Sequence, residues 1–97
     1  MEKSRSYEGL FIVSSDKENE IDDIKKGIHA VISENSGNIV RDNVMGKRTF
    51  AYPIKKKTAG IYYEVAFTSL PGNVAKMLRQ FRINTNILRT LIDKVEA

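Results

Sequence analysis

The chain's basic side chains are its first candidates for chemistry, because they are unevenly placed. Arg41, Lys47, Arg48, Lys55, Lys56 and Lys57 crowd residues 41–60, with Asp42 as the one acid among them. Lys76, Arg79, Arg82, Arg89 and Lys94 crowd residues 76–94 against Asp93. Guanidinium and ammonium groups gathered this way suit a phosphate backbone, whose attraction offsets their desolvation and which releases counterions when neutralised. Residues 16–34 carry the opposite bias, six carboxylates to three lysines, so that segment should face away from a polyanion. Taken alone, Lys55–Lys57 is explained equally well as a solvated loop. The joint clustering of Arg48, Arg82 and Arg89 favours binding.

Turnover has less to work with. His29 is the sole histidine and cysteine is absent, so neither a zinc ligand set nor a thiolate nucleophile can be assembled. Asp22 and Asp23 could hold a hard cation with Glu18, but adjacent carboxylates at the start of a helix more often complement its dipole. No phosphate-cradling glycine pattern follows a strand and opens a helix, and Gly46-Lys47-Arg48 is too short to read as one. Small phosphatase-like enzymes place an arginine at the first-strand turn, where this chain has Ser14, Ser15 and Asp16. The residues point to a binding protein, not an enzyme, with no metal and no cofactor.

The elements that must position these bases follow from periodicity. Residues 7–13 read as a first strand, with Tyr7, Phe11 and Val13 on one face and Leu10 and Ile12 on the other. A helix is predicted from near Asp16 to Ser36, opened by Ser15 and Glu18 at capping-box spacing and lined by Ile21, Ile24, Ile28, Val31 and Ile32. Gly37 is expected in a left-handed C-terminal position, and Gly27 where the helix approaches the sheet. Residues 38–54 read as a long strand interrupted near Met45-Gly46, with Pro53 at an edge or outside the ladder. Residues 55–60 are expected to form a basic loop too long for a two-residue turn. Ile61 to Phe67 is the third strand. A second helix opens at Pro71 and carries Val74, Met77, Leu78 and Phe81 on its inner face, and Ile87 to Ile92 is the last strand.

The order β-α-β-β-α-β places two helices on one face of a four-stranded antiparallel sheet, an α+β ferredoxin-like fold filling residues 1–97 as one domain. With 97 residues, 41% of them hydrophobic and 29% charged, the chain has the balance of a small folded domain. The apolar run Leu10–Val13 is too short for a signal-peptide core or a membrane span, so the expected location is cytoplasmic. The sheet face away from the helices is expected to be bare, with Leu10, Ile12, Tyr62 and Ala66 open to a partner. The base-reading signature of RNA-recognition modules is absent, and Tyr62 is the one aromatic placed on that face.

Several short runs together resemble the bacterial small-subunit ribosomal protein six family over residues 5–94. They are Arg5-Ser6-Tyr7-Glu8, then Gly46-Lys47-Arg48-Thr49-Phe50-Ala51-Tyr52-Pro53-Ile54, then Gly60 with Tyr62-Tyr63-Glu64-Val65, and last Asn86-Ile87-Leu88-Arg89. The resemblance implies a ribosome-associated structural protein of the 30S subunit. It would bind central-domain 16S ribosomal RNA beside ribosomal protein eighteen. Carried over by position, Arg5, Tyr7, Arg48, Tyr52, Lys55, Arg82 and Arg89 become RNA or partner contacts.

Joined to the charge clusters, this gives an expected RNA-binding set of Arg5, Arg41, Lys47, Arg48, Lys55, Lys56, Lys57, Arg79, Arg82 and Arg89. The expected partner interface is Tyr7, Leu10, Ile12, Tyr52, Tyr62 and Leu88. Three residues depart from the family pattern. Gly9 replaces a larger aliphatic, which predicts looser packing on the first strand. Thr49 replaces one base, leaving Lys47 and Arg48 to carry that charge. Leu88 replaces a common arginine, which should enlarge the apolar patch. The competing reading is a non-ribosomal protein-interaction module, homodimeric through the open sheet and indifferent to RNA.

Overall fold

Two apolar stripes decide the architecture. In β1 (Arg5–Ser14) alternate side chains put Tyr7, Gly9, Phe11 and Val13 on one side and Leu10 and Ile12 on the other. Helices α1 (Ile21–Glu34) and α2 (Pro71–Arg82) close over the first side, burying Ile24, Ile28, Ile32, Met77 and Phe81 against it. The core is aromatic at its centre: Phe11 meets Phe81 edge-on at 4.8 Å between ring centres, and Tyr7 stacks on Phe67 at 5.6 Å. The other strands are β2 (Asn38–Ile54), β3 (Lys57–Ser69) and β4 (Ile87–Lys94). They lie in one antiparallel sheet of order β2-β3-β1-β4, the ferredoxin-like arrangement expected. The computed structural model describes residues 3–95.

Local details depart from the expectations. The first helix does not begin at Asp16. A 3-10 segment spans Ser15–Glu20, and Ser14, not Ser15, caps it by accepting a hydrogen bond from the Asp16 N–H. Ser36 takes the left-handed position with φ 62°, while Gly37 is required for space: a Cβ there would stand 2.5 Å from Ile32 Cγ2 and 2.8 Å from the Ile32 carbonyl oxygen. Gly27 has open space around it and approaches nothing. Nor is packing loose at Gly9, because the Phe11 ring fills the room, its Cε2 3.0 Å from where a Cβ would stand.

The basic loop is shorter than expected. Ile54 pairs with Lys57, so Lys55 and Lys56 alone form the turn, with φ 49° and 68°. Positive φ at both central residues is what a type I′ hairpin demands, here met by lysines and not by the usual Asn-Gly.

Candidate nucleic-acid interface

β2 and β3 pair, with one-residue register shifts at Val40 and Met45, as far as Thr49 opposite Ala59, and the next pairing is Ile54 with Lys57. Phe50, Ala51, Tyr52 and Pro53 therefore stand opposite Thr58 alone, and Pro53 has no N–H to give to a ladder. This surplus backbone folds the end of β2 over the face away from the helices. There the Phe50 ring covers Gly60, leaving only 2.6 Å between Phe50 Cζ and a Cβ built at that glycine. Ile12 lies beneath the same contact and is 5% exposed. The open face is thus not wholly bare: its hairpin end is roofed by the chain itself.

The excursion also brings the bases together. One cleft of about 270 Å³ is rimmed by Lys55 from the turn, Arg82 from the end of α2 and Arg89 from β4, and floored by Leu78, Phe81, Ile87 and Leu88. A second, of about 290 Å³, is walled by Phe50, Tyr52, Tyr62 and Arg89. Arg89 stands between the two. Arg48 lies over Tyr62 with its guanidinium carbon 5.6 Å from the ring centre, a cation–π contact. No carboxylate lines either cleft. Among the described residues Arg48, Lys55, Arg82 and Arg89 form no ion pair.

Other predicted bases lie elsewhere or are already engaged. Arg5 and Arg41 sit toward the opposite end of the sheet, where Arg41 pairs with Glu8 at 3.6 Å. Lys57 is taken by Asp16 at 2.5 Å, and that bond holds the Asp16 carboxyl below its usual range. Lys47 pairs opposite Ile61, which puts it on the helix side of β2. Arg79 is exposed on the last turn of α2 outside both clefts, and Lys56 is exposed in the turn.

The expected partner residues divide in the same way. Tyr7 faces the helices, stacked on Phe67 and 7% exposed, because β1 alternation puts it with Phe11. Ile12 is buried under the hairpin. Leu88 is 9% exposed in the floor of the basic cleft, so it does not enlarge an outer apolar patch. Leu10 and Tyr62 are half-buried on the open face, and Tyr52 is 82% exposed. Two residues outside the expected set also belong to this face: Phe50, whose ring walls the second cleft, and Leu91, which alternation with Arg89 and Asp93 places opposite Leu10 and 51% exposed.

On the helix side, Tyr63 donates to Asp42 Oδ2 at 2.5 Å, and His29 Nε2 lies 2.6 Å from the same hydroxyl. The single hydroxyl hydrogen is spent on the carboxylate, so His29 Nε2–H is the donor to Tyr63. The Tyr63 hydrogen bond holds the Asp42 carboxyl below its usual range, against the opposing effect of burial. Burial, then the adjoining carboxylate, pushes the Tyr63 phenol well above its own. This trio joins α1, β2 and β3 and lines neither of the two basic clefts. Among the described residues no group of three His, Asp or Glu side chains converges as a metal site would require. None of the helices described is long and apolar enough to cross a membrane.

Residues 6–94 match the family model described as ribosomal protein S6. The chain is 35% identical over 92 residues to the small ribosomal subunit protein bS6 of Rickettsia bellii (strain RML369-C), covering 94% of this chain and 77% of that protein. It is 36% identical over 93 residues to its counterpart in Caldanaerobacter subterraneus subsp. tengcongensis, covering 95% and 98%. The crystal structure of 30S ribosomal protein S6 from Thermotoga maritima superposes with a TM-score of 0.88 at 29% identity, over 96% of this chain and 89% of that one. The C-terminal domain of the MgtC protein from Mycobacterium tuberculosis has the same fold at a TM-score of 0.67 and 10% identity, over 95% and 88%.

Proposed function

Because the chain belongs to the ribosomal protein S6 family of the small ribosomal subunit, we propose that it acts by holding the phosphates of folded central-domain 16S ribosomal RNA. Ribosomal protein eighteen is then its neighbour in the assembly. The observation that carries this is the meeting of Lys55, Arg82 and Arg89 around one cleft with no acid in its lining. Three cations brought together from a turn, a helix end and a strand repel one another until an anion arrives. A phosphate offsets that repulsion, and displaced counterions add to the driving force.

The partner has the other half of the open face. There Glu8, Glu64 and Asp93 surround Leu10 and Leu91, with Arg41 neutralised by Glu8. Acid around an apolar centre repels RNA and suits a basic protein surface. The work is binding and organisation, without turnover.

A gel shift against a central-domain RNA fragment, with and without ribosomal protein eighteen, tests the reading. Affinity should fall steeply with added salt and rise with the partner. Arg82→Ala and Arg89→Ala should each weaken binding to every RNA sequence and lower the salt slope by about one. Binding that ignores salt, or that survives both substitutions intact, would sink the phosphate assignment.

A further inference from the structure

We infer that the aromatic cleft walled by Phe50, Tyr52 and Tyr62 captures one unstacked RNA base, with its phosphate passing Arg89 toward Lys55 and Arg82. The inference rests on the RNA-binding reading above and adds that contact reaches a base as well as the backbone. Four observations support it. Tyr52 is 82% exposed, an aromatic ring left in water beside two others. The Phe50 and Tyr62 rings are 6.3 Å apart and tilted by 45°, too oblique to close the space by stacking on each other. Arg89 lines both this cleft and the cationic one, so a single side chain separates a place for a flat apolar group from a place for an anion. At about 290 Å³ the aromatic cleft falls just below the roughly 300–1,000 Å³ of drug-sized ligand sites, which limits it to one small planar group.

The chemistry of the lining separates RNA from a protein occupant. A basic protein segment would meet Arg48 and Arg89 with no carboxylate in the wall to receive it. A nucleotide matches both components, its base facing aromatic rings and its phosphate facing guanidinium groups. A duplex cannot enter, because its bases are already stacked. The cleft selects a bulged, looped or unpaired nucleotide. The C-terminal carbonyls of α2 carry partial negative charge at Arg82, so a phosphate there needs the three cations together.

The test uses the full chain and three probes: an oligoadenylate strand, a strand of the same length abasic at every position, and a duplex of equal length. Tyr52→Ala removes an exposed ring and should leave the melting temperature unchanged. It should weaken oligoadenylate binding about tenfold, the order expected for losing one base–aromatic stack, while Tyr52→Phe keeps wild-type affinity. Duplex binding should change less than twofold, and amide signals of Phe50 and Tyr62 should shift with the single strand alone. Equal binding of intact and abasic strands by the wild type overturns the inference. So does a Tyr52→Ala protein that holds oligoadenylate normally but loses ribosomal protein eighteen, which would make Tyr52 a protein contact. If Tyr52→Ala has no effect while Arg82→Ala and Arg89→Ala still weaken RNA, the base contact fails and the phosphate reading stands.

Discussion

His29 illustrates how a residue's type misleads until its neighbours are known. As the chain's one histidine it invites a catalytic reading, but its ring spends its Nε2–H on Tyr63, which in turn donates to Asp42. The contacts tie α1 to the β2 edge of the sheet. Asp42 has the sharper consequence, because its carboxyl is held below the usual range in the folded state, chiefly by the Tyr63 hydroxyl. A carboxyl shifted this way favours folding above the unfolded value of about 3.9, and the contribution is lost as pH falls through the lower folded value. Thermal melts of Asp42→Asn should therefore match the wild type more closely as pH drops below about 4 and diverge from it near neutrality. Equal differences in melting temperature at both ends of that range would show that Asp42 acts without its charge. Tyr63 behaves in the opposite sense. With its folded value raised, its share is present below the ordinary phenol value of about 10 and is lost as pH rises beyond it.

At the scale of the element, the β2–β3 hairpin gathers most of the irregular backbone. Gly46, at φ 108°, marks one bulge, Val40 sits in another, and residues 50–53 form the large excursion that carries Phe50 and Tyr52 over the sheet. Such interruptions also blunt β2 as an edge strand that other chains could pair with. Lys55 and Lys56 hold left-handed backbone angles that cost an L-residue roughly 1–2 kcal/mol. Lys56→Gly should recover about 0.5–1 kcal/mol of this after glycine's extra unfolded-state entropy, raising the melting temperature by about 4 °C. A lower melting temperature would mean that the Lys56 side chain supports the turn by more than its backbone angle costs it. Lys55 is the member of the pair that reaches the cleft, so its charge is the one RNA binding should need.

Across the whole molecule the charges are sorted by end. Arg48, Lys55, Arg82 and Arg89 gather at the hairpin end, while Glu8, Glu64 and Asp93 surround Leu10 and Leu91 on the rest of the open face. On the proposed reading, RNA and a basic protein bind side by side without competing for one surface. Leu91 is half-exposed, and replacing it removes little from the core. On the proposed reading, Leu91→Glu should leave folding and RNA-only gel shifts as they are while reducing the gain in affinity that ribosomal protein eighteen brings. If RNA-only binding falls and the partner's effect persists, the two halves of the face have been assigned the wrong way round.

Period-two and period-3.6 patterns are local, so the element order and the helix-covered side of the sheet were readable from residue spacing. So was the presence of two basic regions, since charge counts need no geometry. The same alternation that groups Tyr7 with Phe11 overrides its expected place at the partner interface. What the tertiary structure alone decided was which of those bases meet. Arg41 and Lys57 look no different from Arg48 and Lys55 in a sequence, yet Glu8 and Asp16 neutralise the first pair across distances the sequence does not reveal. The excursion at residues 50–53 was equally hidden. It arises from a mismatch between two strands, and no property of either strand alone shows how many residues will face one partner.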